Sequence, residues 1–361
     1  MRKLSTNSVA TSIAKLQRRS ILALEGRDTY TFLQGAITNN VKMLEEDQQS
    51  AHANHSCIRK LFYSAFLNPQ GRTMSDALMF PVPKPDLPSV LVEVDSDIVE
   101  DLVKFLKRFK LRSKFSMQDV SKDWSVYQIW GPDAEQALNL QDISKAGGII
   151  AQDHRAPFMG WRVLIPSQAN VSITTQAEIS EVSSDEYKAH RMLCGVAEGA
   201  SELVHGASLP LEACIDYMHG VDFHKGCYIG QELTARTHFT GLIRKRIMPV
   251  VLTHPNSSAP DTRHVDPSWD LDFSKYSTDV RLVTENQSQS SDKPRRARSA
   301  GKFLGGVHNV GLALLRLEQA EQTFDPNAGK MLIIESEDGA SLQLHASRPD
   351  WWPPKELDRN S

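Results

Sequence analysis

Hydrophobic positions along the chain fall into short strand-like runs separated by turn residues, with a few stretches at helical spacing. Ser20 to Leu24 is an apolar run that ends at Gly26. Asp28 then stands where a helix N-cap belongs; Tyr30, Phe32 and Leu33 share the inner face of the short helix that follows, and Gly35 marks its stop. Residues 45–56 are polar and read as a loop. Phe62 to Leu67 and Met74 to Pro81 flank Asn68-Pro69-Gln70-Gly71-Arg72, the pattern of a β-hairpin closed by a Pro/Gly turn, with Asp76 on the return strand. A proline-rich connection (81–88) leads to a further strand at Val90 to Val94. In Asp101 to Phe109 the period changes: Leu102, Phe105, Leu106 and Phe109 share one helical face, opposite Lys104, Lys107 and Arg108. Such a basic amphipathic helix is either a solvated face over a core stripe, the commoner case, or a surface for a membrane or an acidic partner.

Strands are expected at 124–130 and 161–165, and a helix near 185–194. Gly220-Val221-Asp222-Phe223 alternates like a short strand, a glycine-containing turn follows, and Gln231 to Arg236 is helix-competent. Leu242 to Leu252 reads as a strand entering a new unit. Residues 253–300 then turn polar, and 287–299 hold so few apolar groups that they read as a disordered or inserted loop, with Arg295, Arg296 and Arg298 as solvated charges. Strand patterns resume at 300–304, 311–318, 331–335 and 341–345. The expected organisation is a basic lead-in (1–18), an α+β domain of two half-domains (19–240), a second unit (241–352) interrupted at 253–300, and a tail (353–361).

Composition constrains this picture without redirecting it. With 361 residues, 40% hydrophobic and 24% charged, the chain has ample material for a core. Its net charge of −3 gives no global reason to expect nucleic-acid binding. No apolar run approaches the ~18 residues of a membrane span. Residues 1–24 contain Arg2, Lys3, Lys15, Arg18 and Arg19 and no acidic residue, as in a mitochondrial transit peptide; the alternative is a basic lead-in to an ordinary first strand. The four cysteines (57, 194, 214 and 227) are far apart, with no Cys-x-x-Cys pair, which argues for a reducing compartment and against a disulfide framework or a self-contained zinc site.

Candidate chemistry concentrates at Lys225-Gly226-Cys227-Tyr228-Ile229-Gly230-Gln231-Glu232. A cysteine between a lysine and a helix N-terminus has two positive neighbours that favour thiolate. The alternative is a small buried hydrophobe, as most free cysteines are. A cysteine hydrolase using Cys227 with His224 or His238 is a third reading, disfavoured because catalytic histidines are usually remote in sequence.

This octet, followed by Leu-Thr-Ala-Arg-Thr (233–237) and Ile-Arg-Lys-Arg (243–246), resembles the signature of the YgfZ family. These are relatives of the glycine-cleavage T-protein that serve as iron–sulfur cluster assembly factors, mitochondrial in eukaryotes. The blocks at 24–39, 191–198 and 209–216 and the hairpin Gln70-Gly71-Arg72 are similar to the family as well, so the resemblance covers most of residues 20–352. It implies an α+β, aminomethyltransferase (T-protein)-like folate-binding fold with a C-terminal β-barrel, located in the mitochondrial matrix. It also implies that Gln34, Thr38 and Asn39 wall a folate-type cavity and that Glu198 hydrogen-bonds a pterin-like ring. Turn formation by Asn39 and a surface carboxylate at Glu198 are the alternatives.

An iron–sulfur cluster normally takes four ligands, and this chain offers one well-placed thiol. The expected arrangement is therefore a shared cluster, with Cys227 as one ligand and a partner supplying the rest; the resemblance implies that the partner is an A-type iron–sulfur carrier and that [2Fe-2S] units are used to make [4Fe-4S] clusters. Lys225 would offset the cluster's charge, Gly226 and Gly230 would allow close backbone approach, Gln231 and Glu232 would orient the loop more than ligate iron, and Tyr228 counts with them among the candidate cofactor-binding residues. Arg236, Arg244 and Arg246 either bind an acidic partner or pair with nearby carboxylates. The chain alone is expected to be a monomer and an assembly factor without classical turnover. The competing function is tetrahydrofolate-dependent one-carbon transfer, which the fold would permit but not require.

Overall fold

The computed structural model describes residues 11–54, 57–82, 87–175, 179–255, 257, 264–284 and 299–354. In chain order the first elements are β1 (Ser12–Lys15), β2 (Arg19–Glu25), α1 (Thr29–Ala36), α2 (Lys42–Asn54), β3 (Ile58–Lys60), β4 (Phe62–Leu67), β5 (Thr73–Pro81), β6 (Ser89–Asp95) and α3 (Val99–Lys110). There follow β7 (Ser116–Asp119), β8 (Trp124–Trp130), α4 (Leu140–Lys145), β9 (Ile149–Gln152), β10 (Trp161–Pro166), β11 (Ser180–Val182), α5 (Ser184–Leu193) and α6 (Gln231–Thr240). The C-terminal part contains β12 (Lys245–Thr253), β13 (Asp279–Thr284), β14 (Ser299–Val307), β15 (Val310–Arg316), α7 (Leu317–Glu321), β16 (Lys330–Glu335) and β17 (Ser341–Ala346).

The strands build three sheets: a six-stranded sheet in the order β11-β1-β8-β10-β9-β3, a five-stranded sheet β4-β5-β6-β2-β7, and a closed barrel β12-β15-β14-β13-β16-β17. Strands β4, β5 and β6 are buried along their whole length, because their alternate side chains enter two different cores. Tyr63, Ala65, Leu67, Leu78 and Phe80 join the large central core shared with the barrel. Phe62, Phe66, Ala77 and Met79 join the second core, to which α1 contributes Tyr30, Phe32 and Leu33 and α3 contributes Leu102, Phe105 and Leu106. The five-stranded sheet is thus covered on both faces, which is why its strands read as continuous rather than alternating apolar runs.

Several expectations change. Residues 45–54, expected as part of a loop, are helical: α2 is Lys42–Asn54, with Leu44 buried and Gln48 accepting from the Tyr30 hydroxyl, while 55–56 lie outside the described residues. Its sequence has no Gly or Pro, and Lys42, Glu45, Glu46, Gln48 and Gln49 are good helix formers. Asp28 does not cap α1 through its side chain; Oδ2 accepts from the Lys114 N–H instead (2.6 Å). Phe109 is partly exposed at the end of α3, its ring against that of Phe105. Residues 220–223 form no strand; the Thr38 hydroxyl donates to Gly220 O and Asp222 N–H donates to Thr38 O, holding them as an irregular segment.

The polar stretch 253–300 is not wholly an insertion. Asp279–Thr284 is β13, an integral barrel strand paired with β14 and β16; the loop expected at 287–299 lies outside the described residues as far as 298. The lead-in 1–18 is also partly fold: Ser12–Lys15 is β1, flanked by β8 and β11. Residues 1–10 lie outside the described residues. Among the described residues no helix is long and apolar enough to cross a membrane.

Candidate functional site

The signature segment 224–230 is an irregular loop that ends at Gly230, the N-cap of α6. Gly230 adopts φ +78°, a conformation that favours glycine. Its Cβ position is also filled: a methyl there would stand 2.3 Å from Asn68 O and 2.9 Å from Leu67 Cβ. The expected close backbone approach at Gly230 is therefore made to the hairpin turn 68–72, not to a cluster. Gly226 differs, since a Cβ there would meet nothing within 4 Å. The space beside Cys227 is open.

Lys225 fastens the loop to α1. Its Nζ donates to the carbonyl oxygens of Gln34 (2.7 Å), Ile37 (2.7 Å) and Asn39 (2.8 Å), at and just beyond the C-terminal end of α1. A helix leaves its last carbonyls without intrahelical partners and carries partial negative charge there, so a cation completes it. Burial lowers the Lys225 pKa to about 8, while three oriented carbonyls favour its charged form. The ammonium lies over the Tyr228 ring, 4.9 Å from the centroid, and burial pushes the Tyr228 phenol up to about 12. Ile229 N–H donates to Gly35 O (3.0 Å), a second attachment to α1. Gln231 Oε1 accepts from Tyr228 N–H (3.1 Å) and so orients the loop, while Glu232 is exposed in the first turn of α6.

These attachments hold the loop on both sides of Cys227 and leave its side chain exposed. The other three cysteines are buried; burial raises the Cys57 thiol and pushes those of Cys194 and Cys214 up to about 12. No hydrogen bond joins Cys227 to His224 or His238 among the described residues. His238 instead stacks on Phe223, with centroids 3.5 Å apart, and burial lowers its pKa. The arrangement required for a Cys–His nucleophile is not present. Among the described residues no three His, Cys, Asp or Glu side chains stand together as metal ligands.

The residues expected to wall a folate cavity serve other purposes. Gln34 Oε1 accepts from Val41 N–H; Asn39 Nδ2 donates to Tyr63 O and His219 O, and Asn39 Oδ1 accepts from Asn40 N–H. Thr38 is fully buried between Gly220 and Ala65. Glu198 is no surface carboxylate: Oε2 accepts from Arg155 Nη1 (2.7 Å), Arg162 Nη2 (3.0 Å) and the Tyr187 hydroxyl (3.1 Å). Burial alone would raise its pKa, but the guanidiniums of Arg155, Arg19, Arg162 and Arg191 hold it well below the usual carboxylate range. Around it Arg19 pairs with Glu93 (2.7 Å), Arg155 with Asp153 (2.7 Å) and Arg191 with Glu202 (2.6 Å). This buried network fastens β2 and β6 of one sheet to β10 of the other and to α5. Its members come from distant segments; the local spacings within it are Arg191 to Glu198, in the 191–198 block, and Asp153-x-Arg155. Asp76 lies beside it, buried, with Oδ1 accepting from Gly199 N–H; burial raises its pKa. Glu198 also lines a cleft of about 180 Å³ together with Arg18, Arg19 and Asp95.

Of the downstream arginines, Arg246 is buried, bidentate with Asp216 (2.8 and 3.1 Å) and stacked on Tyr217, 3.5 Å from the ring centroid. Arg236 and Arg244 are exposed.

The two open sheets and the closed barrel together make an aminomethyltransferase-like fold with a C-terminal barrel. In fold the chain is similar to the glycine cleavage system aminomethyltransferase T from Bartonella henselae, with a TM-score of 0.60 at 11% identity over 94% of this chain and 86% of that one. Residues 244–354 match the CAF17 C-terminal beta-barrel domain. In sequence it is 37% identical to the mitochondrial iron-sulfur cluster assembly factor IBA57 homolog of Mycosarcoma maydis, over 94% of this chain and 85% of the relative. It is 40% identical to the Aspergillus oryzae homolog, over 84% of this chain and 70% of the relative. The chain belongs to the family of mitochondrial iron–sulfur cluster assembly factors of the IBA57 type.

Proposed function

We propose that this chain is an iron–sulfur cluster assembly factor of the mitochondrial matrix. In this reading Cys227 lends one ligand to a [2Fe-2S] cluster shared with an A-type carrier, for use in [4Fe-4S] protein maturation. The observation that carries this reading is the contrast among the cysteines: one exposed thiol on a loop fastened at Lys225 and Ile229, against three buried ones. A cluster needs about four ligands, so a lone accessible thiol fits shared ligation and not a resident cluster. The cluster is cargo. The chain's part is to present Sγ from a loop that need not reorganise, which lowers the entropy lost on complex formation.

Tetrahydrofolate-dependent transfer has less support. Gln34 and Asn39 are committed to backbone groups, and the cleft beside Glu198, at about 180 Å³, is smaller than the ~300 Å³ at which small-molecule sites begin.

The test is anaerobic cluster reconstitution with a purified A-type carrier, comparing wild type with Cys227→Ser by visible absorption and size exclusion. A coloured heterocomplex that requires Cys227 is expected. Equal colour and co-elution with the serine variant would overturn shared ligation.

A further inference from the structure

On the flank of α6 lies a groove of about 320 Å³ to which Leu233 and Thr237 of that helix contribute. Its apolar lining continues with Leu209, Leu211, Leu242 and Ile243. Arg244, Lys245 and Arg316 supply cationic groups, and Glu212 is the one carboxylate among the lining residues. Among the described residues no carboxylate pairs with Arg244 or Lys245, whereas the next residue, Arg246, is fully engaged with Asp216. The apolar surface opens to solvent at Leu242, which is 66% exposed.

A large apolar side chain left in water and continuous with an apolar groove marks an interaction surface, unlike one scattered singly. The charge pattern selects the occupant. Three cations against one carboxylate favour a negatively charged ligand, and the leucine-lined wall requires that ligand to bring aliphatic groups as well. A free phosphate or a nucleic-acid backbone supplies the first and not the second.

We infer that this groove docks an acidic, aliphatic-anchored segment of the protein that brings the cluster to Cys227. The inference rests on the assembly reading above and specifies how the partner is held. The helix α6 is ten residues long, about 15 Å at 1.5 Å per residue, and the Cys227 loop enters it at Gly230. One partner therefore engages the thiol at the head of the helix and the groove along its flank. Docking in the groove raises the effective concentration of the cluster at Sγ without any change in the thiol.

The experiment titrates a purified, cluster-free A-type carrier against wild type, Arg244→Glu/Lys245→Glu and Leu242→Asp, with Lys107→Glu on α3 as a charge control, at low and high salt. Coloured-complex formation is followed in parallel. Both groove variants are expected to weaken cluster-free binding by about tenfold or more, the wild-type affinity to fall with salt, and Lys107→Glu to bind as wild type does. All four substituted positions carry side chains at least partly in solvent, so folding is retained. If the groove variants bind as tightly as wild type while the coloured complex still depends on Cys227, the docking inference is overturned and the assembly reading stands. If wild type neither binds the carrier nor forms the coloured complex, both fall.

Discussion

Gly71 and Gly230 pack backbone against backbone: a Cβ on Gly71 would lie 2.9 Å from Gly230 O, and one on Gly230 would lie 3.2 Å from Gly71 Cα. The hairpin turn and the entry to α6 therefore fit each other only because neither has a side chain, and both residues have φ near +77°. Gly230→Ala is expected to cost about 2–4 kcal/mol, from left-handed strain plus the contact with Asn68 O. Urea denaturation measures it; a change below about 0.5 kcal/mol would show that the turn yields without cost.

Lys225→Met removes three charge-assisted hydrogen bonds to the end of α1. The expected loss is about 3 kcal/mol, with faster hydrogen exchange at Ile229, whose N–H is held by Gly35 O. If Lys225 were instead a charge partner of the thiol, stability would be unchanged and only Cys227 reactivity would move.

Cys227 should be the first of the four cysteines to alkylate with iodoacetamide in the native protein, read by mass spectrometry as one adduct before any second. Cys227→Ser should leave stability within about 0.5 kcal/mol, as exposed substitutions do, while removing the cluster-dependent complex.

His190 gives the fold a pH dependence. Its Nε2 donates to Phe158 O (2.9 Å), its ring stacks on Trp130, and burial lowers its pKa from 6.5 to about 4. Between those values the unfolded chain binds a proton that the folded chain refuses, so stability rises with pH across this window. The contribution is complete above pH 6.5 and is lost as pH falls toward 4, by up to roughly 3 kcal/mol. His190→Gln should flatten the Tm profile between pH 6.5 and 4; an unchanged slope would assign the effect to other groups.

The local part of this structure was legible in the sequence. The β4–β5 hairpin, the amphipathic α3 and the octet around Cys227 depend on spacing within a few residues. The unread part is long-range. Local spacing sets Lys225 beside Cys227, but the oxygens it binds belong to residues 34–39, far away along the chain. The backbone that Gly230 meets, at Asn68, lies in another motif. Glu198 is surrounded by arginines from β2, β10 and the loop after β9, an arrangement that no local pattern encodes. Strand β13 escaped because most of its residues are only half-buried, so its stretch looked as polar as the loop around it.

The position of β1 has a consequence for how the chain matures. Its two neighbours are β8 and β11, so residues 12–15 emerge from a ribosome or a translocation pore long before either edge they need. The six-stranded sheet is complete only after residue 182 has appeared; β1 has no partner until β8 emerges and keeps one edge open until β11 does. Such non-local closure is slow, whereas the barrel strands all lie between residues 245 and 346 and meet partners nearer in the chain.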